Sequence, residues 1–201
     1  MSTHRGHRRL TALAATVALG AAAVAPSSAA AGGTTGVATH AVTTTSSCGV
    51  VWGSLARSNG TAHTTGTLDG VRAGRHTCFD RLVLDVDDVP GSLTYDVRYV
   101  DTVRADGSGM AVPLAGGADL QVVLRAAAYD DRGRSTYPVA DPTELVDVDG
   151  WSTFRQVAWA GSFEGQTTVG LGVRARLPFR VLVLDGPDDG ARLVVDVAHR
   201  W

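Results

Sequence analysis

Three side chains could supply the parts of a hydrolytic centre: His76, Asp80 and Glu164. Hydrolytic chemistry needs a titratable group that is held in place by an orienting partner. His76 lies close enough to Asp80 for a histidine–carboxylate pair, and Glu164 would act as a general acid if it were buried. However, the first spacing is more typical of a hydrogen-bonded strand end, and a glycine directly after Glu164 is typical of a turn. We therefore predict no catalytic site and keep a hydrolase as an alternative.

Motifs for other kinds of chemistry are incomplete. Gly107-Ser108-Gly109 lacks the strand-to-helix context of a nucleophile elbow, and Gly170-Leu171-Gly172 lacks the third glycine and the helix of a phosphate-binding loop. Asp147-Val148-Asp149-Gly150 matches only a fragment of a calcium-binding loop. The aspartate pairs at 130–131 and 188–189 are typical of solvated turns. The sequence therefore predicts neither a metal site nor a cofactor.

Three aromatic residues are the best candidates for a binding surface: Tyr129, Tyr137 and Trp151. Sugars present apolar C–H faces edged by hydroxyl groups, so a sugar site combines exposed rings with hydrogen-bonding groups. The three residues fall in or beside the segment 129–142, which we predict to be the longest loop. Trp159 alternates with apolar neighbours and is predicted to lie in the core. The alternative role for the three aromatic residues is a satellite cluster that covers the end of the domain.

The elements that must position these residues are strands. The core of the segment Phe79–Val86 recurs as Arg192–Val197, and in both copies Leu and Val alternate with Arg and Asp. Similar stretches, separated by Gly- and Pro-containing turns, occupy residues 93–101, 120–128, 154–160, 167–173 and 179–184. None of them shows a helical period. The sequence therefore predicts an all-β fold, an antiparallel β-sandwich of about 8–9 strands.

The repeat also suggests a register. If the two copies pair antiparallel, Arg81 lies opposite Asp196 and Asp85 lies opposite Arg192, which would give two cross-strand ion pairs on the outer face. The segment 179–184 is apolar on both faces from residue 181 onward. This pattern favours a central strand that is covered on both sides.

Residues 1–31 are predicted to be a secretory signal peptide. Residues 1–9 carry three arginines and no acid, residues 10–25 are mostly Ala, Val and Leu, and small residues follow up to residue 31. This order is typical of export with cleavage after Ala31. A membrane anchor is disfavoured because a span needs roughly 20 strongly apolar residues. We expect a secreted protein without a transmembrane span after cleavage, and the choice between general and twin-arginine export stays open.

Residues 32–66 are predicted to be a flexible leader, and residues 67–201 are predicted to form the domain. The leader is rich in Gly, Thr, Ala and Ser and cannot bury enough apolar surface to order itself. It contains Cys48, and the second cysteine is Cys78. In an exported chain two cysteines most simply form one disulfide, which would attach the Cys48 arm to the first main strand. Lipidation of Cys48 is disfavoured because no lipobox precedes it.

The net charge disfavours one class of partner. Cleavage after residue 31 removes three of the 18 basic side chains and none of the 20 acidic ones, so the mature chain has a net charge of −5. A negative balance disfavours nucleic acid as a partner. About 170 residues suffice for one domain with its own core.

Several separated motifs resemble one family. They are Val71-Arg72-x-Gly74-Arg75-His76-x-x-Phe79-Asp80-Arg81-Leu82-Val83, Tyr95-x-Val97-x-Tyr99-Val100, and the segments 106–109, 161–165, 170–172, 178–181 and 192–197. In this order they resemble the AMIN-like domain of secreted proteins and lipoproteins from high-GC Gram-positive bacteria, over residues 68–199. The resemblance implies a non-catalytic β-sandwich that places proteins at the cell envelope by contacting peptidoglycan.

We therefore predict a secreted, non-catalytic cell-envelope module that contacts peptidoglycan or another cell-wall polymer through Tyr129, Tyr137 and Trp151. The first alternative is an extracellular protein–protein interaction domain that uses a sheet edge or a loop to bind an envelope protein. The second is a cell-wall hydrolase that uses His76, Asp80 and Glu164. The oligomeric state stays open.

Overall fold

The two copies of the repeated motif lie side by side. In the computed structural model, which describes residues 48–201, they form β3 (Phe79–Asp87) and β11 (Ala191–Ala198) and pair antiparallel. Arg81 lies opposite Asp196 and Asp85 lies opposite Arg192, so the predicted register is confirmed. A shift by one residue would turn every apolar side chain of one strand to the wrong face, which is why the alternation specifies the register.

Residues 48–201 contain eleven strands and no helix, which confirms the all-β prediction. The other strands are β1 (Arg57–Ser58), β2 (Thr67–Arg75), β4 (Tyr95–Val100), β5 (Val103–Arg104), β6 (Ala111–Val112), β7 (Ala118–Leu124), β8 (Phe154–Phe163), β9 (Gln166–Val173) and β10 (Phe179–Asp185). Eight strands have six or more residues; β1, β5 and β6, with two residues each, are too short to leave a periodic signal. No part of the described chain forms a helix that could cross a membrane.

The strands build two antiparallel sheets that pack as a sandwich. One sheet has the order β1-β4-β7-β9-β8 and the other has the order β10-β11-β3-β2, while β5 and β6 form a separate hairpin. Leu82 and Leu193 of the second sheet are fully buried in one cluster with Leu120 and Leu171 of the first. Burial of such a side chain contributes about 2 kcal/mol, so the alternating apolar residues hold the two sheets together.

One of the two predicted ion pairs is present and the other is not. Arg81 binds Asp196 through two hydrogen bonds of 2.6 and 2.9 Å. Asp85 instead binds Arg72 of β2, also at 2.6 and 2.9 Å. The reason is that β3 has a second neighbour: Asp85 lies opposite Gly70 of β2, which has no side chain to separate the carboxylate from Arg72.

The N-terminal part of the described chain is attached to both sheets. A disulfide joins Cys48 to Cys78, as the cysteine count predicts. Gly53 then exchanges two backbone hydrogen bonds with Phe179 at the start of β10, and β1 pairs with β4 of the other sheet. The segment from residue 53 to 66, which the composition assigns to a flexible leader, is therefore hydrogen-bonded along much of its length. The predicted signal peptide and leader residues 32–47 lie outside the described residues.

The prediction of a central strand at 179–184 is wrong. β10 is the edge strand of the four-stranded sheet, and Val183 and Leu184 are exposed. The N-terminal arm covers the outer face of the first half of β10, where the Trp52 ring packs against the Arg180 guanidinium. Its second half has no such cover among residues 48–201.

The segment 101–117, which contains β5 and β6, covers the outer face of the five-stranded sheet. Val103 is fully buried, and the amide of Ala115 donates to the side chain of Gln156 in β8 at 2.7 Å. This close approach requires glycines on β9, because a methyl group on Gly170 would lie 3.1 Å from the Leu114 side chain. Gly170 and Gly172 therefore allow the segment 101–117 to pack closely against β9.

Candidate functional site

The three residues considered for catalysis lie in different surroundings. His76 is exposed and stacks on the Phe79 ring, with 4.4 Å between ring centroids. Glu164 is exposed in the two-residue turn between β8 and β9, with a φ of 50°. Within residues 48–201 no hydrogen bond joins any two of His76, Asp80 and Glu164. The structure does not bring them together as a reactive group.

Asp80 is buried and its oxygens are engaged. Oδ2 accepts the backbone amides of Thr153 and Phe154 at 2.7 and 3.0 Å, and Oδ1 lies 3.0 Å from Nε2 of His199. The side chain is 1% exposed. Asp80 thus connects β3 to the start of β8 and to the C-terminal residues, which is a structural role. Its partner His199 is 119 positions away and is brought near only by the pairing of β3 with β11.

The structure shows no contact among the three aromatic residues predicted for binding in the described chain. Tyr137 packs on Trp159 with ring centroids 5.9 Å apart, and Trp151 stacks on Phe154 at 6.0 Å. Both lie against the core, and burial raises the pKa of the Tyr137 hydroxyl. Tyr129 lies elsewhere, at the β8–β9 turn, where its hydroxyl accepts the amide of Gly165 at 3.1 Å.

The aspartates considered for metal binding hold turns. Asp130 accepts the backbone amides of Arg132 and Arg134, and hydrogen bonds from Arg134 lower the pKa of Asp130. Asp147 accepts the amide of Asp149 at 2.9 Å. In the described part of the chain there is no group of three or more His, Cys, Asp or Glu side chains with the spacing for a metal ion.

A group of side chains at the β8–β9 turn has the composition of a binding site. We call Asp106, Arg125, Phe163 and Gln166 the turn cluster. The loop between β5 and β6 lies on this turn, since the amide of Asp106 donates to the carbonyl of Ala160 at 2.7 Å. The Phe163 ring packs beside the loop and is 50% exposed, which leaves part of the ring accessible.

The polar members of the turn cluster form a chain of hydrogen bonds. Arg125 Nη1 donates to Gln166 Oε1 at 2.5 Å, and Gln166 Nε2 donates to Asp106 Oδ1 at 3.0 Å. Arg125 Nε is buried and has no hydrogen-bond partner in the described chain, and Asp106 Oδ2 is buried beside Thr168. Burial raises the pKa of Asp106, and the nearby polar groups of Thr168 and Gln166 oppose this shift only in part. The cluster therefore combines a hydrogen-bonded group of polar side chains with a half-exposed aromatic ring.

Sequence reasoning identifies only the turns of this site. The glycine-rich segments 106–109 and 161–165 indicate two turns, and Tyr129 is one of the predicted binding residues. Nothing in the order of residues shows that the β5–β6 loop folds onto the β8–β9 turn, because strands of two residues carry no periodic signal. An aromatic residue directly before a two-residue turn, here Phe163, is the one available hint.

Comparison with known proteins agrees with this architecture. A family model described as the AMIN-like domain matches residues 66–199. No curated protein and no solved structure matches the chain. The family and the disulfide are typical of an extracellular or cell-envelope location. Because the matched residues make up most of the sequence, the chain belongs to the AMIN-like domain family.

Proposed function

We propose that the protein is an exported, non-catalytic module of the cell envelope that contacts peptidoglycan or another cell-wall polymer. Family membership and the disulfide support the envelope location. The observation that carries the binding role is the turn cluster, where the half-exposed ring of Phe163 lies beside the partly exposed polar side chains of Asp106, Arg125 and Gln166.

The chemistry of a wall glycan matches this arrangement. The C–H face of a sugar would pack on the Phe163 ring, and its hydroxyl groups would bind the exposed parts of the polar side chains in the cluster. Tyr129 borders the same turn. Tyr137 and Trp151 are further candidates beside β8, where they pack on Trp159 and Phe154, respectively.

Retention of the mature protein by purified, insoluble peptidoglycan tests the proposal. We expect Phe163→Ala to weaken retention about 2- to 10-fold, since an aromatic contact contributes about 0.5–1.5 kcal/mol. Leu55→Ala is the matched control, because Leu55 is an exposed apolar side chain outside the cluster. If Tyr137→Ala with Trp151→Ala weakens retention and Phe163→Ala does not, the polymer binds beside β8. Absence of retention by the unmodified protein would refute wall binding.

A second candidate function is binding of an extracellular protein. The observation in its favour is the open half of β10, an apolar sheet edge that residues 48–201 leave uncovered. No observation of comparable weight favours a wall hydrolase, since Asp80 is buried and hydrogen-bonded and Glu164 lies in an exposed turn.

A further inference from the structure

Most of the sheet edges in the described chain are protected. The loop before β8 covers that strand: Pro142 accepts the amide of Trp159 at 2.7 Å, and the amide of Leu145 donates to Val157 at 2.8 Å. β1 pairs with the edge of β4. β2 carries the charged residues Asp69, Arg72 and Arg75, which is a common way to discourage pairing with a further strand.

β10 is the exception. Phe179 exchanges its N–H and C=O with Gly53 on the side away from β11. Because the direction of backbone groups alternates along a strand, the N–H and C=O of Val181 and Val183 point to the same open side. Among residues 48–201 no backbone group bonds them there. The open stretch ends at Asp185, whose carbonyl accepts the guanidinium of Arg192.

The side chains of this stretch favour pairing with a further strand. Residues 181–184 read Val-Leu-Val-Leu, and Val183 and Leu184 are each 39% exposed. An uncharged, apolar and unpaired edge is the type of surface to which an extended peptide adds as a further strand. The charged edge strand β2 and the uncharged stretch 181–184 therefore differ in how readily a further strand would pair with them.

A groove beside the end of β10 determines what kind of peptide fits. It has a volume of about 590 Å³ and lies between β10 and the β3–β4 connection, with Val89, Leu93 and Val183 as its apolar part. Four aspartates line it, and no arginine does: Asp88, Asp185, Asp188 and Asp189. A strand added to β10 would therefore meet apolar surface flanked by negative charge.

We propose that the open half of β10 binds an extended segment of a partner protein in which an apolar side chain and a cation lie two positions apart, and therefore on the same face. Its backbone pairs with Val181 and Val183. On the face of the groove, its apolar side chain packs beside Val183 and its cation lies near the four aspartates. A second copy of this chain fits less well. The cation that its β10 would bring is Arg180, which is already bound to Asp196 at 2.7 Å.

The test uses the mature protein and a dye-labelled, end-capped peptide Thr-Lys-Thr-Val-Thr-Lys-Thr, which presents Val and Lys on one face, with Thr-Glu-Thr-Val-Thr-Glu-Thr as its matched control. Fluorescence anisotropy measures binding. We expect the cationic peptide to bind and the anionic one not to bind. Val183→Pro should weaken binding at least 10-fold, because it removes an outward N–H that the sheet does not use and proline is tolerated on an edge. Val183→Thr keeps that N–H and should bind within about 3-fold of the unmodified protein.

A second variant tests the charge argument independently of the strand. Asp88 and Asp188 have φ values of 52° and 51°, a conformation that asparagine also adopts, so Asp88→Asn with Asp188→Asn should fold normally. This variant should bind the cationic peptide more weakly and lose most of the salt dependence. Three results would overturn the proposal: no binding of the cationic peptide, equal binding by Val183→Pro, or a dimer of the unmodified protein that Val183→Pro abolishes in sedimentation.

Discussion

Asp196 and Asp85 make the same contact with an arginine in very different surroundings. Each accepts two hydrogen bonds of 2.6 and 2.9 Å on the outer face of one sheet. The Asp196 side chain is fully buried and also binds Arg180, whereas the Asp85 side chain is 23% exposed. Exposed ion pairs contribute little, but a buried charge that loses its partner is strongly destabilising.

We predict that Asp196→Ala lowers the free energy of unfolding by about 3 kcal/mol, because it leaves Arg81 and Arg180 side by side without a counter-charge. This is the low end of the range for a broken buried pair, since both arginines keep about a quarter of their side-chain exposure. Asp85→Ala, the matched control, should cost less than about 1 kcal/mol. Urea unfolding measures both values. Equal losses would show that burial of Asp196 does not decide its contribution.

For individual residues, the sequence predicts ion pairs between the two copies of the repeat better than ion pairs between strands that share no motif. The pairing of Arg81 with Asp196 follows from two copies of one motif and the alternation of their side chains. The binding of Asp85 to Arg72 depends on β2, which shares no motif with β3. The burial of Asp80 could not be predicted either, because its partners Thr153 and His199 belong to segments far away in the sequence.

The hairpin segment 101–117 depends on two glycines of β9. Gly170 and Gly172 face the same side of the sheet because their spacing is two. The Leu114 side chain lies over Gly170, and the backbone of Ala115 lies over Gly172. A methyl group on Gly172 would collide with the carbonyl oxygen of Ala115. This contact holds the loop that carries Asp106 in place, and it therefore also positions the turn cluster.

Gly172→Ala should lower the free energy of unfolding by about 1–3 kcal/mol, because the backbone of the hairpin must move to accept the methyl group. Gly74→Ala in β2 is the control, since the nearest atom there is the end of the His76 side chain at 3.7 Å. The control should be neutral or stabilising by up to about 1 kcal/mol, as expected for removal of a strand glycine. Thermal unfolding gives the stabilities, and faster hydrogen exchange confined to residues 101–117 would identify the mechanism. No loss in Gly172→Ala would contradict the packing role.

Periodicity predicts the long strands well, but it does not show what covers them. The apolar pattern of β10 favours a central strand, yet its outer face is covered only at the start, where Trp52 lies over Arg180. Trp52 itself belongs to a segment without a sustained pattern. Coverage of this kind depends on contacts between distant segments, which local alternation does not encode.

The segment 48–66 joins the two sheets of the whole molecule. The disulfide and Trp52 attach it to the four-stranded sheet, where the Trp52 and Phe79 ring centroids are 5.8 Å apart. Further along, Asn59 donates to the carbonyl of Leu93 at 3.0 Å beside the other sheet. We call the segment 48–66 the strap. The family model begins at residue 66, so the strap lies almost entirely outside the matched domain. We infer that it nevertheless belongs to the folded unit.

Removal of residues 48–65 should therefore destabilise the domain by more than loss of the disulfide alone. Cys48→Ser with Cys78→Ser should cost about 3 kcal/mol, as expected for a bridge between residues 30 positions apart. The deletion, made with Cys78→Ser to avoid a free thiol, should cost more, because it also uncovers Phe79 and leaves the edges at β4 and Phe179 unpaired. Urea unfolding of both variants measures the difference, and sedimentation shows whether the uncovered edges self-associate. If the two variants are equally stable, the strap stabilises the domain through the disulfide alone. If the deletion variant is as stable as the unmodified protein, the folded unit begins at residue 66.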